Sequence, residues 1–177
     1  AIKTAEPFLP AGTVIAREQT YVHTFYKKEA TAQQPATSKE EGNLVAFSGP
    51  DFKATFDKQN GLLTSYLYKK HEYILNGQGP RPFFWRAPTD NDYGANLPVR
   101  LKAWKEASYQ EPKAESFQVT PGSNATTIKV TYRFPQTDAR WDITYKIYAS
   151  GVIKVDNRFV AEGDQAPMIP RVGLRMQ

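Results

Sequence analysis

The chain has 177 residues, 40% of them hydrophobic and 23% charged, with a formal net charge of +5 and no cysteine. That length suffices for one domain with a core, or for one domain joined to part of another. The absence of cysteine excludes disulfides and thiolate metal sites, and no run approaches the roughly 20 apolar residues of a membrane-spanning helix.

In chain order, Pro7 and Pro10 bracket an extended segment and Gly12 marks a turn. Residues 13–26, rich in β-branched and aromatic side chains, read as a strand. Residues 27–42 hold almost nothing that fills a core and read as a linker. A strand isolated before a linker is expected to be the last strand of a preceding domain. From Asn43 the pattern turns all-β. Phe52, Ala54 and Phe56 alternate with Lys53, Thr55 and Asp57, the period of a strand with one buried face. Asn60-Gly61 supplies a hairpin turn, and Leu62 to Tyr68 returns as the partner strand. Tyr73-Ile74-Leu75 reads as a short strand, ended by Gly77, Gly79, Pro80 and Pro82.

The next stretch is the most unusual. Phe83-Phe84-Trp85 runs directly into Arg86-Ala87-Pro88-Thr89-Asp90-Asn91-Asp92-Tyr93-Gly94. Two carboxylates beside an arginine, a proline and a glycine suit an ordered loop braced by its own side chains, with Asp90, Asn91 and Asp92 accepting loop amides and a carboxylate gripping Arg86 bidentately. Contact with sugar or water, and then metal binding, are the alternatives. An EF-hand fails, since position twelve counted from Asp90 is Leu101 where a glutamate is required. Leu97, Leu101 and Trp104 recur at helical spacing, so Pro98 to Ala107 is predicted to be one short helix.

Three strands follow. Ile128, Val130, Tyr132 and Phe134 form one inward row, Trp141, Ile143, Tyr145 and Ile147 the next, and Ile153, Val155 and Phe159 a third, an antiparallel meander. Met168 to Gln177 is again strand-like. Lys129, Arg133, Lys146, Lys154 and Arg158 are spread over the outward rows, so no nucleic-acid footprint is expected. Trp104 and Trp141 are expected in the core, whereas Trp85 beside the loop is a candidate cleft aromatic. His23 and His71 have no neighbouring ligands, so no metal site is expected.

The Arg86–Gly94 stretch resembles the Arg-Ala-Pro-x-Asp-Asn-Asp-x-Gly signature of the small-chain (last) domain of family 2 β-galactosidases. The resemblance implies an all-β fold, an antiparallel sandwich of the galactose-mutarotase-like type cut short, preceded by the terminal strand of a lost immunoglobulin-like domain. Residues 1–26 would be the tail of that domain, 27–42 a linker, and 43–177 the first part of the sandwich. The family's catalytic glutamates lie in an upstream barrel, so no catalytic residue is assigned here; retaining hydrolysis needs two carboxyls about 5 Å apart. By position, the resemblance makes Gly94, Ala95, Asn96 and Leu97 a lid loop beside the active site. It implies no cofactor in this segment, Mg or Na in the parent's barrel, a β-galactoside substrate bound through that barrel, a homo-oligomeric parent, and neither nucleic-acid nor membrane partners. No targeting segment opens the chain, leaving a soluble parent in either the cytoplasm or the periplasm. The rival readings are a carbohydrate-binding β-sandwich module, an aldose-epimerase-like domain and a purely structural or oligomerisation module.

Overall fold

A computed structural model describes residues 3–14, 34–163 and 168–177. Two antiparallel meanders build it. The first sheet runs in sequence order through β1 (Thr37–Glu41), β2 (Leu44–Ser48), β3 (Phe52–Asp57), β4 (Leu63–Tyr68) and β5 (His71–Glu72). The second holds β7 (Ser116–Thr120), β8 (Ala125–Phe134), β9 (Ala139–Tyr148) and β10 (Ile153–Ala161), in the order β10-β9-β8-β7. Between them in sequence come β6 (Arg81–Phe83) and the helical segments α1 (Asp90–Gly94), α2 (Leu97–Arg100) and α3 (Lys102–Tyr109). A short ribbon pairs β6 with β11 (Gly173–Arg175).

The alternation in sequence sets which faces meet. Phe52, Ala54 and Phe56 are buried on β3, and Trp141, Ile143, Tyr145 and Ile147 on β9. Phe56 stands edge-on to Tyr145 with ring centroids 5.1 Å apart and lies 6.4 Å from Phe117 of β7, so the two inner faces interlock as an all-β sandwich. At the Asn60-Gly61 turn, Gly61 has φ +75°, and a Cβ there would stand 2.4 Å from Val130 of the facing sheet. Glycine is required both by the backbone and by the approach of the second sheet.

Several expectations are corrected. Residues 37–41, placed in the linker, form β1, paired with β2 from Thr37↔Ser48 to Glu41↔Leu44. Every β1 residue is exposed, because an edge strand is held by its backbone ladder and needs no apolar row. Ala36 is buried and Pro35 bridges Tyr148, so the sandwich begins before Asn43. The strand expected at 73–75 is instead β5 at His71–Glu72, and Leu75–Gly77 is a 3₁₀ turn. The segment between Pro7 and Pro10 is a tight turn, with Glu6 and Leu9 exchanging backbone hydrogen bonds of 3.0 Å. The single helix expected over 98–107 is divided between α2 and α3, with Leu101 breaking the run at φ −109°, ψ 21°. β7 carried no expectation. The strand expected at 13–26 falls largely outside the described residues. No helix among the described residues is long and apolar enough to cross a membrane.

Candidate functional site

The aromatic run after β6 anchors the motif. Phe84 is fully buried, with its ring centroid 4.8 Å from Trp104 of α3, 5.4 Å from Trp141 of β9 and 5.0 Å from Phe134 of β8. Its backbone N–H donates to Ser108 Oγ at 2.9 Å, and that hydroxyl donates to the Trp104 carbonyl at 2.7 Å. The chain therefore leaves the sandwich at a fixed point, and Arg86 to Gly94 is built outward from it.

Arg86 and Asp92 brace this segment. Nη1 donates to Asp92 Oδ2 at 2.6 Å and Nη2 to Oδ1 at 2.8 Å, a two-pronged guanidinium–carboxylate contact. Thr89, the residue before α1, donates to the same Oδ2 through its N–H at 2.7 Å and its hydroxyl at 3.1 Å. Asp92 thus stands three residues into the cap, where its side chain reaches back over the helix start. The Arg86 hydrogen bonds, followed by the Thr89 N–H, hold the Asp92 carboxyl at about 2, below its ordinary 3.8. Asp90 and Asn91 are the first two residues of α1; both are exposed, and neither side chain makes a hydrogen bond among the described residues. The brace joins Arg86, Thr89 and Asp92, and Asp90 and Asn91 stand outside it.

Gly94 closes α1 and Ala95 and Asn96 lead, exposed, into Leu97 at the start of α2. The left-handed residue here is Asn96 at φ 54°, not Gly94, and nothing lies within 4 Å of a Cβ built on Gly94. The connection is held by Ala95 N–H to Asn91 C=O at 3.0 Å, Asn96 N–H to Tyr93 C=O at 2.9 Å, Arg100 N–H to Asn96 C=O at 3.1 Å, Leu101 N–H to Leu97 C=O at 2.8 Å and Arg100 Nη1 to Ala95 C=O at 3.4 Å. Leu97 and Pro98, Trp85 and Arg86, and Met168 and Ile169 line a pocket of about 140 Å³ against the brace. Trp85 is only 7% exposed, with Lys105 Nζ 5.8 Å above its ring. It forms part of the pocket wall and is too covered to serve as a platform.

The remaining candidates are dispersed. Trp104 and Trp141 are buried, and Trp141 Nε1 donates to Asn157 at 3.0 Å. His71 is exposed and meets Tyr73 edge-on at 4.7 Å; His23 lies outside the described residues. Among the described residues no group of three or more His, Cys, Asp or Glu forms that could hold a metal. Glu72 is lowered in pKa: burial opposes the shift, but hydrogen bonds from Ser65 and the N–H groups of Ile74, Tyr66 and Tyr73 outweigh it. Sequence reasoning missed Thr89, Ser108 and the 168–170 wall. Thr89 carries a legible signal, since Thr-x-x-Asp is a capping pattern; the other contacts are long-range and leave no local trace.

Comparison with known proteins fits this geometry. Residues 48–177 match the family described as "Beta galactosidase small chain". A β-galactosidase of Priestia megaterium (strain DSM 319 / IMG 1521) is 32% identical over 81% of this chain, and one of Clostridium acetobutylicum is 33% identical over 73%. Each match covers 14% of that relative, so the chain spans about one seventh of their length. A "Beta-galactosidase small subunit" of Latilactobacillus sakei is 29% identical over 74% of this chain and 46% of its own length.

Proposed function

Since the chain belongs to the β-galactosidase small-chain family, we propose that it is the non-catalytic C-terminal part of a retaining family 2 β-galactosidase that hydrolyses terminal, non-reducing β-D-galactosides. In this reading its sandwich is the first part of a galactose-mutarotase-like domain. The Arg86–Asp92 brace walls the active-site entrance, and Gly94 to Leu97 supply a lid over it. A relative bearing this region under the name of a small subunit supports an accessory part. The catalytic carboxyls, and Mg or Na where the parent uses one, would belong to a barrel elsewhere in a homo-oligomeric parent.

The observation that carries the reading is the brace itself. Arg86 grips Asp92 through two hydrogen bonds and Thr89 donates two more to the same carboxylate, leaving a braced wall beside which the exposed residues 94–96 project. An exposed segment beside a braced rim is an arrangement suited to gating. The chemistry of this chain is then positional: it shapes the entrance, excludes water and moves no proton. The binding-module rival needs an exposed aromatic platform; all three tryptophans are 7% exposed or less, while Tyr73, Tyr93 and Tyr109 are exposed on separate segments. The test is Arg86→Ala in the whole parent protein. The expected result is a fall of at least tenfold in kcat/KM for a chromogenic β-galactoside, with the thermal midpoint of the barrel unchanged. Unaltered kinetics would remove the entrance role.

A further inference from the structure

The walls of the pocket beside the brace are held in different ways. Arg86 and Asp92 are fixed locally, whereas residues 168–170, which complete the lining, make no hydrogen bond among the described residues. The place of that stretch is therefore set at its two ends. The later end is β11, paired with β6 from Gly173 opposite Phe83. The earlier end is the exit from β10, and it is built around Glu162. β10 ends with Ala161 opposite Ala139, and the next N–H, that of Glu162, donates to the Asp138 carbonyl at 2.7 Å. Gly163 then passes so close to the β8–β9 turn that a Cβ on it would stand 2.6 Å from Asp138 Oδ2. The Glu162 carboxylate divides between two arginines. Oε2 accepts from Arg133 Nη1, and Oε1 pairs with Arg140 Nη1 at 3.0 Å. Those arginines face each other across β8 and β9, where like charges directly opposed repel. Each also has a carboxylate of its own, Glu115 at 2.9 Å from Arg133 and Asp142 at 3.3 Å from Arg140. Glu162 is the acid they share. An isolated surface ion pair contributes little, but a carboxylate shared by two cations and carried on a hydrogen-bonded backbone is held at both side chain and main chain.

We infer that Glu162 is a positioning residue: it ties the chain leaving the second sheet to the β8–β9 turn, and so sets where residues 168–170 close the pocket beside Arg86. Six residues reach about 20 Å at most when extended, so a fixed Glu162 confines Met168. Because Arg133 and Arg140 each keep a carboxylate when Glu162 is changed, the sheet survives the change and the wall moves. The bearing of that wall on substrate entry rests on the function proposed above.

The test follows the methyl NMR signals of the chain's two methionines, Met168 and Met176. In Glu162→Gln the Met168 signal is expected to shift towards that of free methionine, with Met176 and the indole signals of Trp104 and Trp141 in place. Glu115→Gln, which removes the other carboxylate of Arg133, should leave Met168 where it is. Arg140→Gln, which removes one of the two partners of Glu162, should move it in the same direction by less. In the whole parent β-galactosidase, Glu162→Gln should raise KM for a chromogenic β-galactoside at least threefold with kcat within about twofold, and Glu115→Gln should change neither. An unmoved Met168 in Glu162→Gln overturns the inference and leaves the entrance role standing. Equal movement in Glu115→Gln, or collapse of the Trp104 and Trp141 signals, also overturns it, by making Glu162 a general support of the sheet. A shifted Met168 with unaltered kinetics removes the entrance role, and the bearing of Glu162 on substrate with it.

Discussion

Asp90 and Asp92 carry the same carboxylate two residues apart, yet one is exposed with no side-chain hydrogen bond among the described residues and the other is held by Arg86 and Thr89. The sequence supplied the brace as a set of residue types but not the choice between the two acids. That choice follows from the helical turn beginning after Thr89, which aims the third residue back at the cap and the first outward. The depressed pKa of Asp92 gives a signed consequence. Its folded value, about 2, lies below the ordinary 3.8, so its contribution is fully present above about pH 4 and is lost as pH falls through 2. Asp92→Asn should therefore lower the thermal midpoint at pH 5, and the gap to wild type should close as both are titrated to pH 2. A gap independent of pH would mean that Asp92 acts through shape alone. Two glycines give a second residue-scale contrast. Gly61→Ala meets a left-handed backbone and the Val130 and Tyr132 side chains at 2.4 and 2.5 Å, and should cost about 3 kcal/mol in chemical denaturation. Gly94→Ala meets open space and no positive φ, and should leave stability within ~0.5 kcal/mol or raise it. The same measurement on both variants checks the pair, and a large loss at Gly94 would contradict its placement.

Among the elements, α3 is where the motif meets the sandwich. Ser108 is buried on it and satisfies two groups at once, the Phe84 N–H and the Trp104 carbonyl. Ser108→Ala would leave the Phe84 amide buried without an acceptor and should destabilise by about 2 kcal/mol. Hydrogen exchange should locate the loss at Phe84, Trp85 and the braced segment, with β8 and β9 protected as before; uniform loss across both sheets would show that Ser108 holds the core instead. The elements legible in the sequence were those with one buried face. β3, β8 and β9 alternate strictly, and Asn60-Gly61 joins β3 to β4 as its residue types require. β1 was not legible, because Thr-Ser-Lys-Glu-Glu has no apolar row and is paired only through its backbone. β6 was hidden by Pro80 and Pro82; its pairing with β11 joins residues some ninety positions apart, beyond the reach of any local pattern. The helical run read as one because Leu97, Leu101 and Trp104 recur at helical spacing, but Leu101 leaves helical geometry and divides it.

For the molecule as a whole, the distribution of carboxylates decides what it can do unaided. Retaining glycoside hydrolysis needs one carboxyl protonated at working pH and a second one ionised about 5 Å away. The acids that this fold draws together are bridged by cations: Glu115 and Glu162 both contact Arg133, while Asp142 and Glu162 both contact Arg140. Glu72 and Asp92 are both displaced downward from the ordinary carboxyl values. The purified chain should accordingly release no chromophore from a nitrophenyl β-galactoside above the buffer blank, from pH 4 to pH 9 and over hours. Turnover at enzyme-like rates would place the catalytic pair inside this chain and overturn its accessory role. A negative result gains its meaning from a folded sample, which the burial of Trp85, Trp104 and Trp141 makes simple to establish by their blue-shifted emission. With emission blue-shifted and hydrolysis absent, the sandwich stands as a folded unit whose contribution is made beside carboxyls that another part of the protein supplies.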